Sequence, residues 1–315
     1  MAGLRSAIIG WALGGVIASS VAPAQAQMAF DPANEQQDDF VQGNFLFLAY
    51  HEAGHMLLDQ LLGADQHKDR LASEQDADDI ATWMMLPDPD EPEQDAETLA
   101  AIRGWEQSAG LAGAGNPLQS PHYPDDSERA ARIVCLLYGN NPKVYADLRH
   151  RLAGGIDEKA CVAEHDLMHE EFAEWFGEDL IPPATESDAK INVRYEAAGA
   201  NEPDLQAVEA YLKKDHMLEE LAEDIRQFVS LPNDITIAGK SCGDGTAEFK
   251  YSPSARQITA CYEAIEWFMK HLPPELGGSQ APETKGQPDS PPEAKKDPKD
   301  DDLGSGGART KKRPR

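Results

Sequence analysis

The pentapeptide His51-Glu52-Ala53-Gly54-His55 lies inside an apolar run from Phe45 to Leu62, and this placement constrains the chain more than any other feature. A segment that is apolar on most faces reads as a buried central helix, predicted over Asn44 to Leu62 with Gly63 as its stop. Two histidines four residues apart then share one helix face, where both can reach a single metal ion. Glu52 projects beside them toward the water such an ion would carry. Hydrolysis by a zinc-activated water needs this arrangement. The plainer reading is a core helix with two hydrogen-bonded histidines, and the glutamate between them weighs against it.

A tetrahedral catalytic zinc takes three protein ligands and keeps one position open. Leu58 and Leu61 stand where an extended metzincin motif carries its glycine and third histidine, which excludes that class. A second helix is predicted from an N-cap at Ser73 to Leu86, stopped by Pro87. Glu74 and Asp78 fall on one face of it. Glu74 is the candidate third ligand, and Asp78 the candidate acceptor for the free ring N–H of a ligating histidine, which would fix its tautomer. Acids in a first helical turn are also favoured by the macrodipole without any metal. His67 and Asp69, in the intervening loop, are the alternative ligands.

Arg5, the apolar stretch from Ala7 to Ala18 and the small residues Ala24-Gln25-Ala26 read together as a secretory signal peptide over residues 1–26. That stretch is short for a membrane span and no other segment is apolar enough, so no transmembrane segment is expected after signal removal. The expected location is secreted or periplasmic. Four cysteines in an exported chain allow three pairings. The simplest is local, Cys135 with Cys161 and Cys242 with Cys261; a cysteine zinc site lacks a close Cys-x-x-Cys spacing. The net charge of -28 argues against a nucleic-acid partner, because so acidic a chain repels phosphate. From residue 271 to 315 Pro, Gly, Lys and Asp dominate, predicting a disordered tail, and residues 27–270 remain for one domain.

Within that domain helical spacing recurs over Ser127 to Tyr138, Lys159 to Phe176, Pro203 to Leu212 and Met217 to Val229. Strands are predicted at Ile235-Thr236-Ile237, Glu248 to Tyr251 and Gln257 to Ala260, before a last helix. The expected fold class is α+β, mostly helical with a small sheet. Asp88 to Glu97 and Ala109 to Gly115 read as mobile loops. A second histidine pair, His165 and His169, has no general base between its members and reads as a solvated helix face.

The segment Gly43 to Leu86, with Asn44-Phe45 before the motif, Asp59 after it and Glu74-x-x-x-Asp78-x-x-Ala81, resembles the bacterial metallopeptidases of the DUF4344 family, which belong with the gluzincins. Pro121-His122-Tyr123, Arg129, Cys135 to Gly139, Leu231-Pro232, Cys242-Gly243 and Ile258 to Glu263 extend the likeness. The resemblance implies a zincin-like fold, Zn2+ held by His51, His55 and Glu74, Glu52 as general base, and a peptide or protein substrate. It makes His122 a candidate for polarising the scissile carbonyl. Two departures stand out. Ile235 to Tyr262 follows the metal helix, whereas the family pattern places that segment before it, so the order resembles a circular permutation. Thr246 stands where the pattern has an asparagine before Ala247. These departures keep open a non-enzymatic envelope protein that uses a zincin-like scaffold to bind a partner.

Overall fold

Asn34 decides where the first helix starts. Its side chain accepts the N–H of Gln37, and Glu35 and Asp38 occupy the first turn, where the helix dipole favours acids. Helix α1 (Glu35–Leu57) therefore begins well before Asn44, widens into a π-helical turn at Leu58–Leu62 and stops at Gly63, whose φ is 78°. In the computed structural model the described residues are 30–63, 70–87, 94–110, 126–150, 155–177, 189–243 and 248–278. The proposed signal peptide, His67, Asp69, His122, Thr246 and most of the proposed tail lie outside them.

Helices α2 (Arg70–Met84), α3 (Ala96–Gly110), α4 (Asp126–Asn140) and α5 (Glu158–Phe176) follow. Next come β1 (Ile191–Tyr195), α6 (Pro203–Lys214), α7 (Met217–Phe228), β2 (Ile235–Lys240), β3 (Phe249–Ser252), β4 (Gln257–Cys261) and α8 (Tyr262–Lys270). The four strands form one mixed sheet in the order β1-β2-β4-β3, with β1, β2 and β4 parallel and β3 antiparallel to β4. The class is α+β, mostly helical, as expected.

Several predicted boundaries need correcting. Ser73 does not cap α2, which starts at Arg70; Arg, Leu and Ala before it are good helix formers and extend the helix backward. The acid-rich stretch ends in helix, because Asp95 accepts the Thr98 N–H at 2.6 Å and starts α3. Strand β1 went unpredicted although its residues alternate between the two faces of the sheet. The packed chain also runs beyond residue 270, since Leu272 and Leu276 are buried and Gln37 donates to the Leu276 carbonyl at 2.7 Å.

Helix α1 is apolar on nearly every face because it runs through the core, packed against α2, α3, α7, α8, β3 and β4. Edge-to-face aromatic pairs fix it: Phe47 with Trp105 of α3, Phe40 with Phe268 of α8, and Phe45 with Phe249 of β3. Buried Asn44 donates through Nδ2 to the Phe40 and Ala100 carbonyls at 2.7 and 3.1 Å and so joins the helix pair, while its Oδ1 has no hydrogen-bond partner among the described residues. Tyr50 donates to Asp224 of α7 at 2.6 Å. The two disulfides join Cys135 to Cys161 and Cys242 to Cys261, the local pairing expected. Their sequence separations of 26 and 19 correspond to about 3 kcal/mol each in the chain-entropy view.

Gly43 lets α1 and α3 touch. A β-carbon there would stand 2.1 Å from the Glu97 carbonyl oxygen, which belongs to helix backbone and cannot simply rotate away. We expect Gly43→Ala to destabilise the protein by about 2 to 3 kcal/mol despite its better helix propensity, measured as a lowered denaturation midpoint.

Candidate metal centre

The chemistry-bearing face of α1 looks toward α2. The two helices approach closely because residue 54 is glycine: a β-carbon there would lie 3.0 Å from Ala77 Cα and from the Ala77 carbonyl oxygen. That contact brings Glu74 and Asp78, one turn apart on α2, against His51 and His55. His51 Nε2 lies 3.1 Å from His55 Nε2 and 3.3 Å from Glu74 Oε2, and His55 Nε2 lies 3.7 Å from the same oxygen. Ligand atoms about 2.0 to 2.2 Å from one tetrahedral zinc stand roughly 3.3 to 3.5 Å from each other. The observed separations bracket that value, so two imidazoles and a carboxylate fit a zinc-type ion. Glu52 adds its carboxylate to the two histidines, one atom from each lying within 4.8 Å of the others.

Asp78 organises the far side of His51. Its Oδ1 accepts from His51 Nδ1 at 2.7 Å, which turns His51 Nε2 toward His55 and Glu74. Arg129 of α4 grips the same carboxylate with Nε at 2.7 Å and Nη2 at 2.6 Å, and its guanidinium lies 3.8 Å from the centroid of the Trp105 ring. Asp78 and Arg129 are 3% and 4% exposed, so this is a buried pair whose members satisfy one another. Thr82 Oγ1 donates to the Asp78 carbonyl at 2.8 Å.

These contacts set the charges. Burial works against ionisation of Asp78, but Arg129 and His51 outweigh it and hold the carboxyl well below the usual range. Glu74 is likewise opposed by burial and held low by hydrogen bonds with His51 and His55. Burial also disfavours a charged His51, yet Asp78 and Glu74 push its pKa up to about 9. A proton there occupies the position a metal ion would take. Glu52 goes the other way: burial raises its carboxyl, with the two histidines opposing. A raised carboxyl suits a group that must accept and return a proton.

Glu52 also meets the sheet. The main-chain N–H of Tyr251, on edge strand β3, donates to Glu52 Oε2, and the Tyr251 hydroxyl donates to Asp59 Oδ2 at 2.9 Å. In the sequence Arg129 stands out only within a family-like stretch and Tyr251 only as part of a strand. No local spacing could link them to Asp78 and Glu52, since their partners lie 51 and 199 residues away.

His165 and His169 sit elsewhere, on α5 beside Trp83. Their rings are 4.5 Å apart, and His169 meets Trp83 edge-on at 5.8 Å. The expected solvated face holds for exposed His169 and fails for His165, whose side chain is 12% exposed. Packing of α4 on α5 turns it inward, with its β-carbon against Gly139.

A buried helix offering two histidines and a glutamate, closed by a carboxylate from a neighbouring helix, defines a metallopeptidase-like class. The chain belongs to the DUF4344 family, described as "Putative metallopeptidase", whose family model matches residues 18–175 and 197–281. No curated protein and no solved structure matches the chain.

In the metal-free protein a raised His51 stabilises the fold fully below its ordinary value of 6.5 and loses that contribution as pH climbs through about 9. The lowered Glu74 and Asp78 contribute above the ordinary carboxylate range and lose it in acid. The thermal midpoint of chelator-treated protein should therefore fall between pH 6.5 and 9, and His51→Gln should flatten that fall, as read by calorimetry across the range.

Proposed function

We propose that this protein is an exported zinc-dependent peptidase in which His51, His55 and Glu74 hold the ion and Glu52 is the general base. The observation that carries this reading is the convergence of His51 Nε2, His55 Nε2 and Glu74 Oε2 at 3.1 to 3.7 Å, with the Glu52 carboxylate beside them. Family membership supports a peptide as substrate. A zinc ion bound there would supply Lewis acidity, lowering the pKa of a water and polarising a peptide carbonyl.

The chain's own groups do the rest. Asp78 keeps the His51 proton on Nδ1, so that Nε2 offers its lone pair to the ion, and Arg129 keeps Asp78 ionised. Glu52 takes a proton from the attacking water at its carboxylate and delivers it to the leaving amine, a task that its burial-raised pKa favours. His122, if it faces the same site, would donate to the carbonyl oxygen as charge develops there.

Export rests on separate grounds. Two disulfides suit an oxidising compartment, and the N-terminal pattern of residues 1–26 suits a cleaved signal. No helix among the described residues is long and apolar enough to cross a membrane.

Elemental analysis of the purified protein should find about one zinc per chain, lost in His55→Ala and Glu74→Ala. Glu52→Gln should keep the zinc and lose turnover on a fluorogenic peptide library by at least about a hundredfold. A zinc-free wild type after reconstitution would overturn the proposal. Cleavage that survives Glu52→Gln would remove Glu52 as the base.

A further inference from the structure

We propose that Tyr251 is a positioning residue for Glu52, acting through its main-chain N–H, and this rests on the peptidase reading above. A glutamate side chain has three rotatable bonds, and fixing it in one arrangement costs entropy that some partner must offset. The Tyr251 N–H supplies such a partner by donating to Glu52 Oε2, and no other hydrogen bond to the Glu52 carboxylate occurs among the described residues. With one oxygen anchored, the carboxylate has fewer orientations open to it beside His51 and His55.

Topology makes this donor available. In an antiparallel pair, successive N–H groups point alternately toward the partner strand and away from it. Strand β3 is an edge strand with β4 on one side, and Tyr251 pairs in register with Ile258. Its N–H serves Glu52 on α1, so it faces away from β4 and takes nothing from the ladder. An amide donating to a carboxylate is a charge-assisted bond, stronger than a strand bond to a neutral carbonyl.

The side chain fixes the distance. The Tyr251 hydroxyl reaches Asp59 Oδ2 at 2.9 Å, two helical turns beyond Glu52, so one residue grips the metal-bearing helix at two points. Phe249, two residues earlier on the strand, packs edge-on against Phe45 of α1 at 5.5 Å. The strand is therefore clamped on both sides of the amide that holds Glu52. Any residue with an N–H could make the bond, and proline could not. Proline is tolerated at edge positions whose N–H faces away from the sheet, which makes the substitution a selective probe.

The test uses full-length mature protein and two independent readouts. In the first, protein labelled with 15N-tyrosine gives the amide proton shift of residue 251, assigned by its absence in Tyr251→Phe. A downfield resonance that moves upfield in Glu52→Gln supports the bond, and one that ignores this change overturns the proposal whether or not any substrate is cleaved. In the second, Tyr251→Ala and Tyr251→Pro share the loss of the side chain and differ in the N–H. Relative to Tyr251→Ala, Tyr251→Pro should lower kcat on the peptide library by at least about tenfold, with KM and zinc content nearly unchanged. Equal kcat for the alanine and proline variants overturns the proposal, and an unfolded proline variant leaves the decision to the amide shift. A wild type that holds zinc but cleaves nothing counts against the peptidase reading and not against the bond.

Discussion

The contact between Gly54 and Ala77 sets the geometry on which the candidate centre depends. Without a side chain at residue 54, α1 and α2 come near enough for short acidic side chains on one to reach the imidazoles on the other. Glu74 is not adjacent to the histidines in sequence, and neither its own helix nor theirs fixes the 3.3 Å between Glu74 Oε2 and His51 Nε2. The helix crossing fixes it. The small residue in the middle of the motif thus has a packing role distinct from the roles of the histidines and the glutamate beside it.

A second layer keeps that crossing chemically consistent. Asp78, His51, Glu74 and Arg129 are buried or nearly so, and isolated charges there would cost several kcal/mol each. They are arranged as alternating charges. Arg129 covers Asp78 with two hydrogen bonds, Asp78 covers one side of His51, and Glu74 covers the other. Removing one member leaves its neighbour buried and unpaired, so the network should behave as a unit in mutational work. Trp105 contributes from a fourth helix, α3, stacking on Arg129 while its own ring packs on Phe47 of α1. Four helices therefore meet at the candidate centre, and the sheet adds β3 from the other side.

Much of this was legible in the chain. An apolar run around two histidines four apart is a local pattern, and helical periodicity converts it directly into a shared face. The same rule put Glu74 and Asp78 together on α2, even though the presumed cap at Ser73 was misplaced. Local cysteine pairing followed from short separations. Less could be read where competing signals overlapped. The acids before α3 have the composition of a loop, yet Asp95 caps the helix, and the polar surroundings of His165 point to solvent where α4 covers it.

By itself, then, the sequence determined which groups share a face: His51 with His55, Glu52 next to them, Glu74 with Asp78. These follow from the 3.6-residue repeat, which depends on nothing beyond a few neighbouring residues. Tertiary structure alone decided that the two faces meet, that Arg129 neutralises Asp78, and that the Tyr251 amide lands on Glu52. Those pairings join residues 51 and 199 positions apart. They arise from how whole elements pack, through glycine contacts, aromatic pairs and strand order, and a one-dimensional pattern carries no measure of the distance between elements.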